Sequence, residues 1–213
     1  LTLRLVCGLT TAEIARALLA REPTVAQRLT RAKRTLREAD VPFEVPAAEE
    51  CRARLGPVLE VVYLVFNEGY AATSGDGWAR PDLCAEGLRL GRLLAVLLPD
   101  EPEVWALVAL MEIQASRLDA RQGADGQAVL LADQDRGRWD AAAIDRGLGA
   151  LDRATQQLAG SDARYTLEAS IAAVHARAAS HDETDWVGLV DLYNRLARLM
   201  PSPVVELNRS VAL

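Results

Sequence analysis

Apolar residues recur at helical spacing along most of the chain. In the clearest case, Leu55, Leu59, Val62 and Phe66 lie three or four positions apart, and apolar residues also fill most other sides of that segment. Such a segment is typical of a helix at the centre of a core. Further apolar stripes predict helices within residues 84–98, 104–118, 144–158, 167–178 and 186–200. Prolines at 81, 102 and 203 fall near predicted starts, and glycines at 69, 123 and 160 near predicted ends.

Alternation typical of strands is scarce, and only residues 128–131 (AVLL) favour a short extended piece. The pattern therefore predicts an all-α fold. Successive helices of similar length favour stacked helical hairpins, as in an α-solenoid. Segments 192–196 and 208–213 resemble degenerate pieces of tetratricopeptide repeats.

The first 40 residues predict a helix-turn-helix. Gly8 suits the left-handed conformation just past a short apolar segment. Thr10 and Glu13 have the spacing of a capping box at the start of a second helix, and Pro23 suits the first turn of a third. The second helix should bury Ile14, Ala15, Leu18 and Leu19, and the third Val25, Leu29, Ala32 and Leu36.

The opposite face of the third predicted helix carries Gln27, Thr30, Arg31 and Arg34. Arg can make two hydrogen bonds to guanine, Gln can do so to adenine, and cations contact phosphates, so this face suits the major groove of DNA. An ordinary amphipathic helix with a solvated basic face is the alternative that spacing alone leaves open.

Charge is distributed unevenly. The 213 residues carry a formal net charge of −6, but residues 1–46 hold eight basic and five acidic side chains, a net of +3, which leaves −9 for residues 47–213. A basic head on an acidic body favours two domains with different partners, the head facing a polyanion. Two prolines, at 42 and 46, predict a linker over 41–46 between a domain at 1–40 and a helical extension at 47–213.

Several protein classes are disfavoured. No apolar run reaches the ~18 residues of a transmembrane helix, and no basic stretch followed by an apolar one suggests a signal peptide. Three cysteines without metal spacing favour a reducing compartment, so we expect a cytoplasmic protein. Phosphate-binding loops and dinucleotide fingerprints are lacking, and His175 and His181 have no nucleophile in a catalytic pattern, so we expect neither an enzyme nor a cofactor. A first residue other than Met indicates a piece of a longer protein.

Two motifs in the head carry a family resemblance. GLTTAEIA (8–15) followed by TVAQRLTRAK (24–33) resembles region 4 of extracytoplasmic-function sigma factors, which reads the −35 promoter element and touches the beta flap of RNA polymerase. Arg21 departs from the capping Ser often found there, and Ala26 is too short to hydrogen-bond a base. The resemblance implies base contacts by Ala26, Gln27, Thr30 and Arg31, and backbone contacts by Thr24, Arg28 and Arg34.

The body also carries a resemblance. YLVFNEGY (63–70), PEVWAL (102–107), LADQDR (131–136) and SPVVELNR (202–209) are similar, in order, to the C-terminal extension of the sigma-factor subgroup called ECF42, which has a tetratricopeptide-like tail. Region 2, which melts the −10 element, would precede residue 1. The resemblance implies a fragment of an alternative sigma factor whose tail regulates activity or binds a protein partner.

Two polar clusters in the body are candidates for a partner groove, formed by Asn67, Glu68, Tyr70, Asp133, Asp135 and Arg136. The structural alternative is that Asn67 and Glu68 satisfy backbone groups at a helix end, while Asp–Arg pairing fixes the second segment. Metal binding by the two aspartates is disfavoured, because no third carboxylate stands near them.

Two other functions remain open. The chain would be a helical-repeat adaptor if its head only resembles a DNA reader. It would be an enzyme if a deep pocket surrounds Glu68 or Asp135.

Overall fold

The protein is all-α. The structure, a computed structural model, describes residues 1–5, 8–39, 48–70, 80–123 and 127–213, and among these no strand forms beyond one antiparallel bridge between Gln122 and Ala128. This confirms the predicted fold class, while the tetratricopeptide-like stacking stays a prediction. The described helices are α1 (Thr2–Leu5), α2 (Thr11–Ala17), α3 (Glu22–Glu38), α4 (Ala48–Ala53), α5 (Leu55–Tyr70), α6 (Pro81–Leu97), α7 (Pro102–Ala115), α8 (Ala141–Leu158), α9 (Arg164–Arg177), α10 (Trp186–Leu199) and α11 (Pro203–Ala212).

Proline marks three helix starts, as the sequence predicts. Pro81, Pro102 and Pro203 are the first residues of α6, α7 and α11. A proline costs nothing there, because the first amide of a helix has no partner within the helix.

In the predicted extended piece at 128–131, Ala128 forms the bridge with Gln122, but Leu131 already begins a 3₁₀ turn that ends at Asp133.

The helices group into two compact units, residues 1–87 and 88–213. In the first unit, α1, α2 and α3 share a hydrophobic core with α5 and the beginning of α6. The buried residues of this shared core are Leu3, Leu9, Ile14, Ala15, Val25, Val65 and Leu83.

The predicted linker at 41–46 lies outside the described residues, and the predicted division into 1–40 and 47–213 stays a prediction.

Helix α5 is central to the first unit, as its apolar pattern predicts. Val65 and Phe66 are completely buried. At its end, α5 approaches α6 so closely that a Cβ atom on Gly69 would lie 2.5 Å from the Cys84 backbone nitrogen and 2.8 Å from the Arg80 carbonyl oxygen. The Arg80 backbone N–H donates to the Gly69 carbonyl at 2.7 Å. Glycine is therefore required by space where these two segments meet.

Helix α7 is the centre of the second unit. Almost every residue between Val104 and Ile113 is buried, and α8 and α9 pack against it. The predicted contact face of α8, Ile144, Leu148, Leu151 and Leu158, is only partly right, since the side chain of Leu151 alone among these four is buried. The face of α8 that packs closest is made of small residues, Ala143, Gly147, Ala150 and Ala154. They allow close approach: a Cβ on Gly147 would lie 2.6 Å from Ile113 Cγ1.

A buried carboxylate joins three helices of the second unit. The Glu112 side chain, on α7, is 2% exposed. Arg92 of α6 donates from Nε to Glu112 Oε1 at 2.8 Å, and Arg146 of α8 donates from Nη2 to Oε2 at 3.1 Å. Two guanidinium groups thus compensate one desolvated negative charge.

Candidate nucleic-acid interface

The capping box predicted at Thr10 and Glu13 is present. The Thr10 backbone N–H donates to Glu13 Oε2 at 2.5 Å, and the Glu13 backbone N–H donates to Thr10 Oγ1 at 3.2 Å. Gly8 has φ +70°, so it adopts the predicted left-handed conformation. These local interactions fix the start of α2 and the direction in which the chain enters it.

A long-range ion pair holds the capping box. Arg80, at the start of α6, donates from Nη1 to Glu13 Oε1 at 3.1 Å, and the Glu13 side chain is only 6% exposed. Burial raises the pKa of Glu13, but hydrogen bonds with Thr10 and the charges of Arg80 and Arg16 outweigh burial and lower it. The carboxylate therefore stays charged, and it ties α2 to the start of α6.

The turn between α2 and α3 differs from the prediction for its leucines. Helix α2 ends at Ala17, and Leu19 has φ +48°. Leu18 and Leu19 are 43% and 87% exposed, so the expectation that they belong to the buried face of α2 is wrong. Leu18 and Leu19 follow the last residue of α2, so the helical periodicity no longer determines where their side chains point.

Helix α3 buries one face and exposes the other. Val25 is buried and Leu29 packs against the core, but Leu36 is 50% exposed because α3 extends past the core. Arg21 is the residue before the helix and makes no side-chain cap, in line with its noted departure from a capping Ser. All seven predicted DNA contacts are exposed, and they are Thr24, Ala26, Gln27, Arg28, Thr30, Arg31 and Arg34.

Two of these seven side chains have partners within α3. Thr30 Oγ1 donates to the Ala26 carbonyl at 3.0 Å, so the Thr30 hydroxyl keeps only its acceptor capacity for a ligand. Arg34 lies 3.8 Å from Glu38, with both side chains more than two-thirds exposed. Such an exposed pair is weak and is easily exchanged for a phosphate contact. Gln27 and Arg31 are exposed on the face opposite Val25, and Arg28 is exposed to one side of the buried face.

Comparison with known proteins decides what these helices resemble. Residues 1–36 match sigma-70, region 4. Residues 1–36 are therefore sigma-factor-like. Residues 54–155 match a family of unknown function (DUF6596).

One relative matches all 213 residues of the chain. The chain is 47% identical over all 213 residues to an uncharacterized protein of Rhizobium meliloti (strain 1021), and spans 50% of the length of that relative. Among solved structures no match was found. None of these three matches names a subgroup of sigma factors.

The predicted partner-groove residues lie in both units. Asn67, Glu68 and Tyr70 are in the last turns of α5, where Glu68 is buried and the Tyr70 ring stacks on Phe66 at 5.8 Å between centroids. Asp133, Asp135 and Arg136 belong to the second unit. A groove formed by these residues stays a prediction.

Arg136 has a different partner from the one predicted. Its Nη1 donates to the carbonyl oxygens of His175 and Ala178, the latter at 2.8 Å, while Asp135 Oδ1 accepts from the Gly137 backbone N–H at 2.9 Å. The expected Asp–Arg pairing is therefore replaced by an arginine that satisfies carbonyls at the end of α9.

Within the described ranges, no group of His, Cys, Asp and Glu is placed to hold a metal ion, and no helix is long and apolar enough to cross a membrane.

We expect acid to destabilise the fold through His175. Burial, followed by the positive charges of Arg117, Arg136 and His181, lowers the pKa of His175 to about 4. An unfolded histidine titrates near 6.5, so the unfolded chain binds the extra proton between these values and stability falls as the pH drops from about 6.5 to 4. The imidazole is partly solvated, and we expect a loss of about 1–2 kcal/mol from it. Urea unfolding at several pH values should show a smaller decrease for His175→Gln, and an unchanged decrease would contradict this assignment.

Proposed function

We propose that this chain directs RNA polymerase to promoters by placing α3 in the major groove of the −35 element. The observation that carries the proposal is the division of α3 between a buried face at Val25 and Leu29 and an exposed face of Gln, Thr and Arg. Helices of this composition read bases by bidentate hydrogen bonds and neutralise phosphates with their cations. The sigma-70, region 4 match over residues 1–36 supports this reading.

Each exposed side chain has a distinct role in the proposal. Gln27 and Arg31 read base edges, while Arg28 and Arg34 contact phosphates. Thr30, whose hydroxyl hydrogen is engaged by Ala26, accepts a hydrogen bond from a base or a water molecule. Ala26 offers only a methyl group, which suits contact with a thymine methyl.

The acidic body supports a second part of the proposal. With −9 over residues 47–213, it is repelled by DNA and instead contacts protein. We assign it to the regulation of the sigma factor, as a tail of the ECF42 kind, with the beta flap of polymerase as the partner of the head. The proposal assigns no catalysis to either part.

We expect Arg31→Ala to weaken binding to the matched −35 duplex by about 1–3 kcal/mol and to leave binding to a scrambled duplex nearly unchanged. Arg28→Ala should weaken both, and should reduce the slope of log affinity against log salt by about one contact. Fluorescence anisotropy with both duplexes, with RNA polymerase core and the complete protein present, measures both effects.

Arg198→Ala is the control, because Arg198 is equally exposed but lies on α10. Equal affinity of the unaltered protein for matched and scrambled duplexes would overturn the proposal. If the Gln27, Arg28 and Arg31 triple alanine variant initiates transcription normally and still retains protein partners, the chain is instead a helical adaptor.

A further inference from the structure

The end of α9 in the second unit is surrounded by cationic and aromatic side chains. The Arg136 guanidinium carbon lies 4.7 Å from the centre of the Trp139 ring, and that of Arg117 lies 5.8 Å from the same ring. The rings of His175 and His181 lie edge-on to Trp186, at 5.9 and 5.0 Å between centroids. We call these six residues, Arg117, Arg136, Trp139, His175, His181 and Trp186, the arginine–tryptophan cluster.

Five buried nitrogen atoms of this cluster have no hydrogen-bond partner among the described residues. Three belong to groups that can only donate: Arg117 Nε, Arg136 Nη2 and Trp139 Nε1. Trp139 is 93% buried, since its exposed fraction is 7%. The other two atoms are Nδ1 of His175 and Nδ1 of His181. Buried donors without acceptors are rare in folded proteins because they cost free energy, so several of them in one place indicate a function.

The cluster also carries positive charge, which Glu183 compensates only in part. Among the described residues, none of the ion pairs includes Arg117 or Arg136. Burial, and then the neighbouring charge of Arg117, lowers the pKa of Arg136, and only Glu183 acts in the opposite direction. The low pKa of His175 has the same origin, since Arg117 and Arg136 both contribute to it.

Another arginine–tryptophan pair in this unit shows the contrast. Arg153 lies over the Trp105 ring at 4.1 Å. Trp105 Nε1 donates to the Pro99 carbonyl at 2.9 Å, and Arg153 Nη2 donates to the same oxygen at 3.2 Å. Stacking of arginine on tryptophan therefore does not by itself leave donors unpaired, whereas the donors of the arginine–tryptophan cluster have no partner among the described residues.

We propose that the arginine–tryptophan cluster binds an oxyanion, the phosphate or carboxylate group of a small molecule. Arg117 Nε, Arg136 Nη2 and Trp139 Nε1 are the donors, and neutral His175 adds an N–H from Nδ1. Guanidinium groups match the geometry of both anions and hold them with charge-assisted hydrogen bonds. Arg117, Arg136 and Trp139 lie between α7 and α8, and His181 lies between α9 and α10. Binding of the anion links the connection between α7 and α8 to the end of α9 and so stabilises the second unit.

Thermal unfolding of the complete chain at pH 7 tests this inference. Sodium phosphate and sodium acetate are each compared with sodium chloride at constant ionic strength. We expect the Tm to rise with anion concentration, by about 5–10 °C at a hundred times the Kd. A rise with phosphate alone assigns a phosphate group, a rise with acetate alone assigns a carboxylate, and a rise with both supports an oxyanion site open to either.

Matched variants locate the site. Trp139→Phe keeps the ring and removes one donor, and Arg117→Gln removes the charge, so each should abolish at least half of the anion-dependent rise in Tm. Trp105→Phe and Arg153→Gln alter the other arginine–tryptophan pair and should keep the full rise. The inference is overturned if neither anion exceeds chloride, or if all four variants keep the same rise.

Discussion

Replacing both Arg92 and Arg146 by Ala should lower the free energy of unfolding by about 3–5 kcal/mol. The reason is the position of Glu112, whose carboxylate is 2% exposed and depends on these two guanidinium groups for compensation. Without them, a desolvated negative charge remains without a partner in the second unit, which opposes the packing of α6, α7 and α8. Urea unfolding at pH 7 measures the loss.

Adding Glu112→Met to the double variant separates charge from packing. If the buried charge causes the loss, removing it should restore most of the stability, because a side chain of similar length then fills the site. No recovery would show instead that the arginine stems stabilise the unit by packing. Arg177→Ala with Arg198→Ala, two exposed arginines of the same unit, is the control and should cost less than about 1 kcal/mol in total.

Gly69→Ala is expected to destabilise the protein by about 2–3 kcal/mol or more. The added methyl group would lie 2.5 Å from the Cys84 nitrogen and 2.8 Å from the Arg80 oxygen, and both are backbone atoms that cannot rotate away. Residues 80–84 would have to separate from the end of α5, and the hydrogen bond from the Arg80 N–H to the Gly69 carbonyl would weaken. Thermal or urea unfolding gives the magnitude.

Gly149→Ala is the matched control. Gly149 is exposed within α8, and a Cβ there meets no atom within 4 Å. Alanine should therefore stabilise the helix by about 0.5–1 kcal/mol. If the two substitutions have the same effect, the contact at Gly69 is not the cause.

Local chemistry made much of the fold predictable from the sequence. Proline placed the starts of α6, α7 and α11, and the Thr10–Glu13 spacing correctly predicted a capping box. The periodicity of α3 separated its buried face from its exposed one, except at Leu36, where the helix has left the core. These features depend on residues a few positions apart, which the sequence shows directly.

Contacts between distant segments were not predictable in this way. The periodicity of α8 predicted that its large apolar residues form the contact face. In the structure, this face is made mainly of small residues such as Gly147, because they allow α8 to approach α7 closely. The Glu13–Arg80 ion pair joins residues 67 positions apart. The unpaired donors of Arg117, Arg136 and Trp139 come from one long connection between α7 and α8, and polar residues in such a connection look like ordinary loop residues until their partners are known.

The shared core of the first unit limits how α1, α2 and α3 can be isolated. Excision at residue 40 would leave Leu9, Ile14 and Val25 without Val65 and Leu83, and Glu13 without Arg80. A truncated protein intended for work with promoter duplexes should therefore extend to residue 87. For the same reason, grafting these helices onto another protein requires α5 to be carried with them.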